Sequence, residues 1–149
     1  LMIFRSKKNK QIINLKISEL TIINEKTLII GLFMLTIGTF LGGIWANESW
    51  GRYWGWDAKE TWALVSILVY AFILHMRFVP GLKGKYIFNL TSVIGVYSVL
   101  MTYFGVNYLL SGLHSYAAGD KVSIPMSVWI SVLIVIIIAI LAKLNNNKK

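Results

Sequence analysis

Trp50-Gly51-Arg52-Tyr53-Trp54-Gly55-Trp56-Asp57-Ala58-Lys59-Glu60-Thr61-Trp62 is the stretch on which the reading of this chain turns. Four of the six tryptophans fall inside it, with a tyrosine, two acids and two bases. The flanking sequence is almost wholly apolar. A polar, Trp-dense segment between hydrophobic runs reads as a working surface rather than a linker.

Working outward, the apolar residues form four runs of about 20 residues, the length that crosses a bilayer. Hydrophobic residues make up 56%, charged residues only 14%, and the mean hydropathy is +0.65. An ordinary soluble domain is less apolar than this. The sequence therefore predicts an all-α integral membrane protein with four transmembrane helices, at 27–46, 61–78, 86–110 and 126–144. The four-span domain covers 27–144. It contains the Trp-rich loop at 47–61 and a second polar loop at 111–125. Residues 1–26 form a basic segment, cytoplasmic or interfacial, and 145–149 a short solvated tail.

The net charge of +9 would point to nucleic acid in a soluble protein. Here the bases flank the spans, which is the pattern of membrane orientation, and no nucleic-acid partner is expected. Of the 15 Lys and Arg, only Arg52, Lys59 and Lys121 lie in the Trp-rich and 111–125 gaps. The rest sit in the N-terminal segment, the 77–85 turn and the C-terminal end. That asymmetry puts both termini in the cytoplasm and the two polar loops together on the outer face.

With no cysteine, the chain has no disulfide framework, thiolate metal site or thiol nucleophile. It opens on Leu1 without a signal-peptide pattern, so it reads either as a start at Met2 or as the end of a longer protein. Residues 1–26 alternate bases with Ile12, Ile13, Leu15, Ile17 and Leu20. They are either an amphipathic segment on an anionic leaflet or the tail of an upstream region. Gly38 and Gly42 have the small-xxx-small spacing that admits a neighbouring helix, and Trp45 suits an interface.

Asp57 is placed to cap the second span, and Glu60, three residues on, completes a capping box. Trp50, Trp54, Trp56 and Trp62 exceed what an interfacial belt requires. Interleaved with Gly51 and Gly55, they offer faces to a flat partner. Arg52 and Lys59 are either headgroup contacts or partners for a ligand's carboxylates. A planar apolar ligand with acidic edges fits such a surface, and haem answers that description, its iron calling for an imidazole.

The chain has two histidines. His114 is expected in the outer loop. His75 lies inside the second span, where it is either a haem ligand or a helix-to-helix hydrogen-bonding group. Leu64, Leu68, Ala71 and Phe72 share its face. Fourteen residues separate His75 from Thr61, about 21 Å along a helix. Axial nitrogens on one iron are only about 4 Å apart, so His75 and His114 would serve two separate sites.

The Trp-rich stretch, with Leu74-His75-Met76-Arg77 and Gly112-Leu113-His114-Ser115-Tyr116, closely resembles the C-terminal part of the CcsA (ResC, CcsBA) cytochrome c biogenesis proteins, of the WWD haem-handling superfamily. The resemblance covers residues 27–120. It implies that haem b is received at His75 within the membrane and presented at the WWD surface with His114 as an iron ligand. It also implies that haem is joined there to the Cys-x-x-Cys-His thiols of apocytochrome c, in a holocytochrome c synthase (haem lyase) of system II. Trp50, Arg52, Trp54, Trp56, Asp57 and Trp62 would line that surface. The location implied is a bacterial inner (plasma) membrane or a thylakoid equivalent, with the loop on the periplasmic or outer side.

The family carries another outer histidine before the WWD segment, whereas here none precedes His75. A CcsB/ResB-type partner or an upstream region of the same polypeptide would supply it, and the chain alone is expected to be inactive. Two other readings stand beside this one. One is haem delivery to a chaperone in the manner of CcmC, without lyase activity. The other is a non-catalytic membrane subunit of an electron-transfer or transport complex.

Overall fold

A computed structural model of the chain describes residue 3, residues 9–110 and residues 124–147. All the described secondary structure is helical. Four helices are long and apolar enough to cross a membrane. They fit an integral membrane protein.

The first helix, α1, runs from Lys10 to Trp50 without interruption. At about 1.5 Å per residue its 41 residues reach roughly 60 Å, twice the hydrocarbon thickness. Residues 10–26 are helical. They continue the first span. The charges at Lys10, Lys16, Glu19, Glu25 and Lys26 lie within the helix and do not interrupt it. Ser18, Thr21, Thr27, Thr36 and Thr39 donate to the carbonyls four residues back, which satisfies each hydroxyl within its own helix. The helix stops at Gly51, whose φ of 70° is left-handed and whose N–H returns to Asn47 O at 2.8 Å.

Helix α2 spans Ala58–His75 and tightens into a 3₁₀ turn at Met76–Phe78. Only residues 51–57 separate it from α1, so the Trp-rich loop is shorter than the 47–61 read from sequence. Its first and last residues belong to the two helices. After a turn, α3 spans Lys85–Leu100 and passes through a π-helical turn at Met101–Gly105 into a short α4, Val106–Leu109. Helix α5 spans Met126–Asn147.

Polar pairs along the seams show how the helices run. Ser18 accepts from Lys85, Thr21 accepts from Asn89, and Asn24 donates to Asn89. Both helices advance together through these pairs, so α1 and α3 are parallel. Met76 with Thr91, Ser66 with Thr102 and Lys59 with Asn107 run in opposite senses, so α2 is antiparallel to α3. Tyr86 to Ala139 and Tyr97 to Ser131 likewise make α5 antiparallel to α3.

Helices α2 and α3 approach each other closely at Gly95. A Cβ there would lie 2.9 Å from Ile73 Cδ1 and 3.5 Å from Tyr70 Cζ. A Cβ on Gly38 or Gly42, whose spacing suits either a neighbouring helix or a lipid-facing pair, would meet nothing within 4 Å among the described residues. Most large apolar side chains on α1 and α5 are exposed, as expected where lipid is the solvent.

Candidate functional site

The Trp-rich loop is held by the two acids that open α2. Asp57 is the N-cap, and its Oδ1 accepts the Glu60 N–H at 2.9 Å. Glu60 reaches back: Oε2 accepts the Gly55 N–H at 2.7 Å and the Asp57 N–H at 3.3 Å. The capping box predicted from spacing is present, with one bond more than the motif requires.

Two close approaches bend the loop back on itself. A Cβ on Gly43 of α1 would meet Tyr53 O at 3.1 Å, and one on Gly55 would meet the Arg52 guanidinium carbon at 2.9 Å. Trp56 takes a φ of 56°, a backbone conformation costing about 1 kcal/mol or more for a side chain of this kind. Its indole is then 71% exposed, and Tyr53 is 64% exposed. Trp54 sits edge-on to Trp56, ring centroids 5.7 Å apart, and Trp45 edge-on to Trp50 at 5.1 Å. Trp54 Nε1 is buried with no hydrogen-bond partner among the described residues. A buried unpaired donor is uncommon and costs free energy unless something accepts from it.

Of the two bases assigned to a ligand's carboxylates, Arg52 remains exposed on the loop. Lys59 turns the other way, its Nζ 3.5 Å from Asn107 Oδ1 between α2 and α4. Trp62 lies within α2, one turn into the helix from the loop, and lines a groove.

His75 is the last residue of α2, at the opposite end from the loop. Its Nδ1 lies 2.6 Å from Ala71 O. A carbonyl only accepts, so Nδ1 is the donor in this contact and Nε2 is left pointing away from the helix backbone. Metal-ligating histidines are commonly oriented in this way. Leu68 and Phe72 on the same face are exposed. The His75 ring also lies against Phe78, over which Arg77 stacks at 5.3 Å, and Arg77 pairs with Glu25 of α1. Nothing in the sequence paired Glu25 with Arg77, since they are far apart in the chain.

An apolar groove of about 660 Å³ runs between α2 and α3. It is lined by Trp62, Val65, Leu68, Val69, Phe72 and Ile73 from one helix, and by Thr91, Ile94, Gly95, Tyr97, Ser98 and Met101 from the other. Its size lies within the range of small-molecule sites. The groove connects the level of Phe72, one turn from His75, with Trp62 beneath the Trp-rich loop. The structure thus gathers the loop aromatics at one end of α2 and places His75 at the other. His114 lies outside the described residues.

A helical membrane protein with a braced, Trp-dense loop at one end of a span and an oriented imidazole at the other is the class defined by this fold and site. Residues 1–114 match the family described as Cytochrome C assembly protein, and the chain belongs to that family. It is 62% identical to Protein NrfI of Wolinella succinogenes over 104 residues, which is 70% of this chain and 12% of that protein. It is 46% identical to the cytochrome c biogenesis protein CcsA of Prochlorococcus marinus over 101 residues, 68% of this chain and 32% of that protein. A CcsA of Synechococcus is 47% identical over 98 residues, again 32% of its length. The resemblance read from the Trp-rich motif is borne out. The chain spans a third or less of these relatives.

Proposed function

We propose that this chain is the haem-presenting part of a cytochrome c synthase. The observation that carries the reading is the Trp-rich loop, fixed by Asp57 and Glu60 so that Trp56 and Tyr53 project outward. Haem b is the cargo. Exposed indoles supply stacking faces, and Arg52, free of the helix packing, supplies charge for a propionate. His75, its ring oriented by the Nδ1 contact with Ala71 O, takes haem from the inner side, and His114 serves the outer site. The groove from Phe72 to Trp62 gives an apolar surface along the same helix.

Charge asymmetry supports an orientation with the loop on the periplasmic or outer side and both termini in the cytoplasm. There an apocytochrome c segment Cys-x-x-Cys-His would present its thiols. Each thioether forms by addition of S–H across a vinyl double bond, with no leaving group. What the chain contributes is positioning and the exclusion of other geometries. The second outer imidazole comes from a CcsB/ResB-type partner or an upstream region, since no histidine here precedes His75. The isolated 149 residues are expected to hold haem weakly.

The test is co-expression of the full-length polypeptide with an apocytochrome c, following covalent haem on the cytochrome. His114→Ala is expected to abolish attachment and added imidazole to restore it. Changing Trp54, Trp56 and Asp57 together is expected to abolish it without rescue. Normal maturation in both variants would refute the proposal. Transfer to a chaperone with no thioether formed would favour a delivery role.

A further inference from the structure

A second groove lies at the end of the bundle remote from the Trp-rich loop, where α3 begins. It has a volume of about 400 Å³ and runs between α1, α3 and α5. Tyr86, Asn89 and Val93 line it from α3, Val135, Ala139 and Ala142 from α5, and Ile17 from α1. Helix α5 meets α3 here through tyrosine hydroxyls. Tyr86 donates to Ala139 O at 2.8 Å, and Tyr97 donates to Ser131 Oγ at 3.3 Å. The two tyrosines are eleven residues apart on α3, about 16 Å along the helix. That is the depth of one leaflet, since the whole hydrocarbon layer is about 30 Å thick.

The polar groups in its wall are already engaged. Tyr86 is bonded to Ala139 O, and Asn89 Nδ2 donates to Thr21 Oγ1 at 2.7 Å and to Lys85 O at 2.8 Å. Asn89 Oδ1 accepts from Asn24. What the wall offers an occupant is therefore hydrocarbon, which a polar ligand would meet at a cost. From Tyr86 to Val93 the groove extends about 10 Å, which makes its section about 40 Å². An α-helix about 10–12 Å across needs twice that section, whereas an acyl chain is thin enough to lie in it.

Positive charge gathers at the mouth. Lys85 immediately precedes Tyr86, Lys143 immediately follows Ala142, and Lys16 immediately precedes Ile17; all three lysines are exposed. Lys85 Nζ reaches Ser18 Oγ at 2.5 Å, which sets it on the α1–α3 rim. Lys10 lies seven residues before Ile17, on the same face of α1. Of the acids on this part of α1, Glu25 is paired with Arg77, and Glu19, two residues from Ile17, faces away from it. A basic mouth on an apolar groove between helices matches an anionic lipid at both ends, headgroup and chain.

We propose that this groove is a binding site for one anionic phospholipid, with an acyl chain lying between α3 and α5 and the phosphate held at the mouth by Lys85, Lys143 and Lys16. The chain fills the gap that the two tyrosines span, and the phosphate gives three like charges a common counter-ion. The site lies at the opposite end of α3 from the Trp-rich loop and does not depend on what that loop binds.

The test uses the full-length polypeptide, purified in detergent, stripped of lipid and observed by native mass spectrometry. Phosphatidylglycerol is expected to bind as a discrete adduct, about ten-fold or more tighter than phosphatidylcholine with the same chains, and inorganic phosphate is expected not to be retained. Lys85→Gln and Lys143→Gln are each expected to cost about five-fold in phosphatidylglycerol affinity and to leave phosphatidylcholine unchanged. Val135→Phe, which fills the groove, is expected to abolish the adduct. A phosphatidylglycerol with a diazirine in its chain is expected to label residues 86–93 and 135–142. Equal affinity for the two lipids, phosphatidylglycerol binding unmoved by both lysine changes, or retention of inorganic phosphate alone would overturn the inference. So would photolabelling confined to other segments, the result expected if a helix of the longer polypeptide occupies the groove. If Val135→Phe fails to accumulate, the lysine variants and the photolabel decide.

Discussion

The carboxylate of Glu60 accepts the Gly55 N–H at 2.7 Å, so the middle of the Trp-rich loop hangs from the helix that follows it. This single contact crosses five residues and links the loop's shape to the first turn of α2. A charged acceptor on a part-buried N–H is worth about 1.5–3 kcal/mol.

Glu60→Ala is therefore expected to loosen residues 51–57 before it affects the helices. Arg52 provides a tryptic site within the loop. Cleavage after Arg52 should accelerate by about ten-fold or more, as follows from a local loss of about 1.5 kcal/mol or more. Glu60→Gln keeps a neutral acceptor and should fall between the two. Mass spectrometry of a limited digest in detergent gives the comparison.

Trp56→Gly should separate stability from function. Its left-handed φ of 56° costs about 1 kcal/mol or more, which glycine does not incur. The edge-on contact with Trp54, worth about 0.5–1.5 kcal/mol, is lost in exchange. These effects nearly cancel, so the thermal midpoint in detergent should hardly move while covalent haem on a co-expressed cytochrome drops sharply. A fall in both together would assign Trp56 to packing.

Gly95 tests the α2–α3 seam. The first obstacle to a Cβ is Ile73 Cδ1, the flexible tip of a side chain, at 2.9 Å. Gly95→Ala should cost little, and less still with Ile73→Val. Gly95→Leu must push the helices apart and should cost about 1–3 kcal/mol. Thermal denaturation of the three variants in one detergent gives the ranking.

The absence of native cysteine permits a direct test of sidedness. In the full-length polypeptide, freed of any cysteines elsewhere, Tyr53→Cys should react with a membrane-impermeant maleimide in intact cells. Lys83→Cys, in the turn between α2 and α3, should react only after permeabilisation. Reversed labelling would invert the proposed orientation.

The spans and the capping box were legible because they rest on local signals: apolar runs of bilayer length, and Asp57 followed by Glu60. The register between helices was not. Gly38 and Gly42 carried the familiar spacing, yet the close contact formed at Gly95, because a glycine matters only where a partner arrives. That residues 10–26 continue the helix of the first span was not legible, because charge says nothing about where a helix's hydrogen bonds stop. The π turn leaves no compositional mark. Asn107 did carry a signal, an amide in an apolar run, but its partner is 48 residues away in the chain.

The unbroken length of α1 has a mechanical consequence. It contains no proline, and its last residue, Trp50, adjoins the loop directly. A helix of roughly 60 Å that tilts as one body by about 10° about its Lys10 end moves its Trp50 end by about 10 Å. Whatever leans on residues 10–26 therefore acts on the aromatic loop as a lever acts on its load, through one continuous helix.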